Sequence, residues 1–215
     1  MSTAIVVDPT QVQPPLAGLP SESPIMPYDL TIDVFSQMVE TGLIPQDRRV
    51  FLFNGRLYEK MAKTRAHGSI GASVTRALVR RLPEQWSFWP ESTIVLDARN
   101  APLPDFTVIR SGDLLGRVDP ERYPGPADVG LLVEVAVTSL RQDLTEALEQ
   151  YARALIPVYW VVDVPGRRIL VHTQPRVVEG RGTYALVEIY QAGQSVPLVL
   201  DGQEVAWIPF DELLR

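Results

Sequence analysis

With 215 residues, 46% of them hydrophobic, the chain can bury one core of ordinary size, and the lack of cysteine excludes a disulfide framework, a thiolate metal site and thiol catalysis. A net charge of −6 argues against broad coating of nucleic acid by charge alone. No secretory leader and no run near the roughly 18 apolar residues of a membrane span is found, so a soluble, cytoplasmic protein without membrane contact is expected.

In chain order, residues 1–27 are dense in Pro and Ser, which lack free N–H donors or favour turns, and read as an extended or disordered arm. A single domain is expected over 28–215. In LTIDVFSQMVET, Ile32, Phe35 and Met38 recur at helical spacing behind Thr31 as a cap, and Gly42 closes the helix. Asn54-Gly55, between two apolar stretches in RVFLFNGRLYEKMA, predicts a hairpin, because both residues tolerate positive φ. From His67 a second helix repeats Ile70, Val74, Ala77, Leu78 and Leu82 and turns Arg76, Arg80 and Arg81 elsewhere. WSFWPESTIVL, PDFTVIR and GLLVEVAV read as strands.

RQDLTEALEQYARALI then places Leu144, Ala147, Leu148, Tyr151 and Leu155 on one helical face, and PVYWVVDV resumes strand character. Strand, helix, strand with this short a crossover implies a parallel or mixed pair beneath the helix. RRILVHTQP, GTYALVEIY and EVAWIPFDELL add strands and a short terminal helix, with His172 read as an exposed strand residue. Ser139 and Thr138 are expected to cap the helix that begins near Arg141, and Tyr159 and Trp160 suit sheet packing. With two histidines and no serine motif nearby, a Ser-His-Asp hydrolase is not expected, and no Gly-rich phosphate loop occurs.

Two features point to chemistry. Residues 56–81 carry Arg56, Lys60, Lys63, Arg65, Arg76, Arg80 and Arg81 against Glu59 alone, which reads either as a solvated face or as a patch for phosphate. In GLLVEVAV the pleat sends Leu131, Val133, Val135 and Val137 one way and Leu132, Glu134 and Ala136 the other, which puts a carboxylate into an apolar layer. An unpartnered charge there costs several kcal/mol, on the order expected for an isolated buried ion, so Glu134 requires a cation or donor. Asp105 follows Pro104 at the start of a strand. Either the two acids hold one hard divalent ion through oxygen, or Asp105 caps a turn and Glu134 pairs with an arginine such as Arg110 or Arg141.

The succession NGRLYEKMAKTRAH, PESTIVLDARNAPLPDFTVIR, LLVEVAVTSLRQDL and YARALIPVYWVVD closely resembles the Uma-type family (domain of unknown function 820) of restriction-endonuclease-like proteins over about residues 29–190. The resemblance implies an α+β fold, the PD-(D/E)XK nuclease core, with a mixed central β-sheet flanked by helices. It implies Asp105 and Glu134 as catalytic, metal-holding acids and the Val135 carbonyl as a third ligand for Mg²⁺ (or Mn²⁺). It further implies DNA as substrate, reached through Lys60, Lys63, Arg65 and His67, and suggests a homodimer.

The chain departs from that pattern in a way that bears on activity. Nucleases of this class use a lysine beside the acids, and Ala136 stands at the E-X-K spacing. In the Uma-type group the lysine moves to the next helix, at Ala147 here, and a glutamate common in the family is Phe51. The chain has two lysines, Lys60 and Lys63, so a surrogate amine has to come from the hairpin segment, or Arg141 supplies charge without acting as a base. Two functions stay open: a Mg²⁺-dependent endonuclease, and a nuclease scaffold that has lost catalysis and binds nucleic acid or a protein.

Overall fold

The computed structural model describes residues 28–45, 47–111 and 122–214, so the arm expected over 1–27 lies outside the described residues. A six-stranded mixed sheet runs β3 (Trp86–Pro90), β4 (Phe106–Arg110), β5 (Val129–Ala136), β6 (Val158–Asp163), β7 (Arg168–Val178), β8 (Arg181–Tyr190) in spatial order. All neighbours are antiparallel except β5 and β6, which pair in parallel with Glu134 opposite Val161. Between them the chain crosses through α3 (Leu140–Gln142), a π-helical turn (Asp143–Ala147) and α4 (Leu148–Arg153). β5 and β6 are buried along their whole length, as expected for central parallel strands covered on both faces.

The pleat sorts side chains as the sequence predicted. On one face Leu131, Val133 and Val135 join Trp160 and Val162 under α2 (Arg65–Val79), α5 (Phe210–Leu213) and the hairpin β9 (Ser195–Leu200)–β10 (Gln203–Pro209). On the other, Leu132, Ala136, Tyr159 and Val161 pack with Tyr151, Ala152 and Ile156 from α4 and its end. Strand β8 approaches α4 so closely that a Cβ on Gly182 would lie 2.1 Å from the Glu149 carbonyl, which glycine alone permits.

A third, smaller cluster places the site. Phe35 of α1 (Ile32–Glu40) packs with Leu52 of the hairpin β1 (Val50–Phe53)–β2 (Arg56–Glu59) and with Ala101. Asn54 and Gly55 turn that hairpin with φ of 47° and 74°. Leu52 and Ala101 exchange backbone hydrogen bonds, and the Asn54 N–H donates to Asn100 Oδ1 at 2.8 Å. The hairpin is thereby fixed to the loop that leads into β4.

Several expectations are corrected. β3 stops at Pro90, after which Glu91 adopts φ +45° and residues 91–105 run irregularly, with Ile94 still buried. Leu155 falls beyond α4 with φ +59° and is exposed, and Ile156 takes the inward place. Ser139 makes no capping hydrogen bond. His172 is 3% exposed instead of solvated, because β8 pairs along its strand and its ring packs against those of Tyr159 and Tyr184, which also touch each other. No helix among the described residues is long and apolar enough to cross a membrane.

Candidate active site

The hairpin register puts Arg49 across from Lys60, whose N–H donates to the Arg49 carbonyl at 2.9 Å. Just past the end of β2, the Lys60 side chain turns inward. Asp105 enters at the start of β4 and Glu134 from the middle of β5, in neighbouring strands of the sheet. Lys60 Nζ lies 3.3 Å from Asp105 Oδ1 and 3.0 Å from Glu134 Oε2, so one ammonium bridges both acids. Glu134 also accepts from the Asp105 N–H at 3.2 Å and, on its other oxygen, from the Tyr151 hydroxyl at 3.0 Å. The partner of the carboxylate in the apolar strand is therefore Lys60, and not Arg110, which pairs with Asp201 and lies over the Trp86 ring.

Asp105 completes its own set with the Val135 N–H and His67 Nε2, each at 2.9 Å from Oδ2. His67 reaches it from the first turn of α2, where its N–H is capped by Thr64 Oγ1 at 3.2 Å. Its other ring nitrogen, Nδ1, is buried without a hydrogen-bond partner among the described residues.

The two acids differ electrostatically. Burial alone would raise the Asp105 carboxyl, but the His67 hydrogen bond, the Lys60 charge and the Val135 N–H outweigh it and hold the group well below the usual carboxylate range. Desolvation dominates at Glu134 and, with the Asp105 charge adding to it, lifts the group to about 8 against the pull of Lys60. Burial likewise opposes the charge on Lys60, yet Glu134 and Asp105 together keep that amine above its ordinary value. A third acid, Asp143, stands in the π-helical turn, raised to about 6 by desolvation despite a 2.6 Å hydrogen bond from Ser139 Oγ and the Lys60 charge. The widened turn is held from below by Tyr159, whose hydroxyl donates to the Asp143 carbonyl at 3.1 Å.

These groups line a cavity of about 420 Å³. Lys60, Lys63, His67, Asp105, Glu134 and Val135 all border it; Arg65 is exposed at the start of α2 and does not. Phe51 and Ala147 also line it, so the two positions where polar groups were expected face the same space. The basic segment is partly spent inside the molecule, since Lys63 pairs with Glu91 at 2.9 Å and Arg81 with Glu212 at 3.0 Å. Four residues escaped the sequence reading: Arg49, Glu91, Tyr151 as a hydrogen-bonding group, and Asp143. Of these Arg49 left a signal, because counting back from the Asn54-Gly55 turn sets it opposite Lys60.

The donor set suits a hard divalent cation: two carboxylates whose oxygens already share one cation, with the Val135 main chain beside them. Among the described residues no group of three or more His, Asp or Glu side chains forms a fuller cage. An ion held by these two carboxylates would keep much of its coordination for water.

The sequence model of the Uma2 family, described as "Putative restriction endonuclease", matches residues 33–209. Among solved structures the chain is similar to "a putative nuclease belonging to DUF820" from Anabaena variabilis, with a TM-score of 0.58 and 11% identity over 76% of this chain and 88% of that one. That likeness supports the mixed-sheet nuclease fold. A search of the curated proteins gives no match.

Proposed function

The chain belongs to the Uma2 family, and from that premise we propose that its cavity hydrolyses DNA phosphodiester bonds as a Mg²⁺- or Mn²⁺-dependent endonuclease in which Lys60 replaces the lysine absent at Ala136 and Ala147. The observation that carries this reading is the position of Lys60 Nζ, 3.3 Å and 3.0 Å from the two acids. The amine that the sequence lacks on the strand and on the helix arrives from the hairpin.

Asp105, Glu134 and the Val135 carbonyl would hold the cation, which supplies Lewis acidity toward the phosphate when bound. The remaining work falls to side chains. His67 fixes one Asp105 oxygen and the Val135 N–H supports it, so the carboxylate presents a defined edge to the cavity. Tyr151, buried and edge-on to Tyr159 at 5.0 Å, does the same for Glu134. Lys60 stays cationic between two carboxylates, which suits it to orienting water and to offsetting negative charge that grows on the phosphoryl oxygens. Lys63 borders the same space and supplies a contact to the nucleic-acid backbone.

Nicking of supercoiled plasmid in Mg²⁺ or Mn²⁺ tests the reading. Wild type should nick, and Glu134→Ala should lose about 10²- to 10⁴-fold in rate, the usual effect of removing such a group. A folded wild type that binds DNA and leaves it intact would instead support the scaffold reading, in which catalysis has been lost.

A further inference from the structure

Beside the acid pair lies a second arrangement of charge, of which the proposed hydrolysis uses Lys63 alone. Glu91 Oε1 is in ion-pair contact with Arg49 Nη2 and lies 2.9 Å from Lys63 Nζ, so a single carboxylate oxygen sits between two cations. The same two cations lie 4.0 Å and 3.9 Å from Asp105 Oδ1. Arg49 is held from behind by Nη1, which donates to the Met61 carbonyl at 2.9 Å, and its Nε is buried with no hydrogen-bond partner among the described residues. Lys63 is steadied over the Phe106 ring, 5.7 Å from its centroid. Both cations border the cavity of the acid pair.

Glu91 occupies this place at a conformational cost. Its φ of +45° is left-handed, a region that side chains with a Cβ rarely adopt, and its N–H donates to the Asp105 carbonyl at 3.0 Å. The backbone of an acid from the PES stretch is thus bent to put a carboxylate where two cations meet at the edge of the candidate metal site. A guanidinium and an ammonium converging on one oxygen match a phosphate group as well as a carboxylate.

We propose that Arg49 and Lys63 form a seat for a backbone phosphate next to the scissile one, and that Glu91 fills this seat until nucleic acid displaces it. The seat deepens the hydrolytic reading and rests on it for the word scissile. Binding of the backbone requires the Glu91 carboxylate to leave, so Glu91 lowers affinity for any phosphodiester strand, and Arg49 is the group through which it does so.

The test is fluorescence anisotropy with labelled duplex DNA and duplex RNA of one sequence, without divalent metal, at several salt concentrations. Glu91→Gln should tighten binding by about tenfold, within the range common for coupled ligands, whereas Glu84→Gln, the same charge change at an exposed position, should alter it by less than about twofold. Arg49→Ala should weaken binding, reduce the salt slope by about one phosphate contact, and abolish the gain when combined with Glu91→Gln. Preference for DNA or RNA identifies which strand the seat serves. Equal affinities for Glu91→Gln and Glu84→Gln in folded proteins overturn the inference, as does the absence of binding by every variant. Should Glu91→Gln not fold, Arg49→Gln in the otherwise native chain decides the matter: an unchanged salt slope overturns the seat. Plasmid nicking keeps the two readings apart, since a nuclease indifferent to Glu91 loses only the seat, and tight, Glu91-sensitive binding without cleavage loses only the nuclease.

Discussion

The two faces of the central sheet are built from the same strands and do different work. Beneath α2 and the β9–β10 hairpin, Leu131, Val133, Val135, Trp160 and Val162 form an apolar layer. Beneath α4 the same strands present Glu134, and the layer continues with Tyr151, Tyr159 and His172, while Asp143 hangs from the π-helical turn above. One face supplies cohesion. The other gives some of it up to hold Glu134 out of water, where Lys60, Tyr151 and the Asp105 N–H satisfy it. The difference shows where this fold places its buried charge: on the side that a purely apolar packing would have made more stable.

Mutations should separate the faces. Trp160→Ala empties a fully buried site on the apolar side and should cost about 3–5 kcal/mol in chemical denaturation, with any remaining folded protein keeping its DNA affinity. His172 gives a smaller, pH-dependent effect. Burial depresses it to about 4 from its ordinary 6.5, so the unfolded chain binds the proton first and stability falls as pH drops through that window. His172→Phe should remove up to about 3 kcal/mol of that acid sensitivity, seen as a flatter melting temperature between pH 6.5 and 4. The smallest change is expected at Glu134. Its folded pKa is raised to about 8, so ionisation makes its contribution to stability fall as pH rises from 4.5 to 8. Glu134→Gln should therefore melt above wild type at pH 8 in chelator and match it at pH 4. A Glu134→Gln that melts lower at pH 8 would mean that the carboxylate stabilises the fold it was thought to burden.

How much of this was legible depended on the range of the interactions. Asn54-Gly55 fixed the hairpin because turn chemistry is local, and the alternation in GLLVEVAV sorted Glu134 from Val133 and Val135 because the pleat has period two. The demand for a partner to Glu134 was also readable. Its answer was not, since Lys60 is 74 residues away and meets Glu134 through the bonds, Leu52 with Ala101 and Asn54 with Asn100 among them, that pin the hairpin against the loop before β4. His172 was misread because alternation within a strand cannot report that β8 and Tyr184 cover it. Helical periodicity in RQDLTEALEQYARALI could not register the π-helical turn that carries Asp143, nor that the chain leaves the helix before Leu155. Arg49 could have been found, by extending the hairpin register one step beyond Val50 and Glu59.

The central claim is that Lys60 does the work of the lysine missing from the helix, and plasmid nicking by wild type, Lys60→Met and Lys60→Met with Ala147→Lys tests it most directly. Ala147 borders the same cavity, so a lysine there has access to the acids. The account predicts nicking by wild type, a loss of about 10²- to 10⁴-fold in Lys60→Met at unchanged DNA affinity, and partial recovery in the double variant. Nicking by Lys60→Met at the wild-type rate would contradict it.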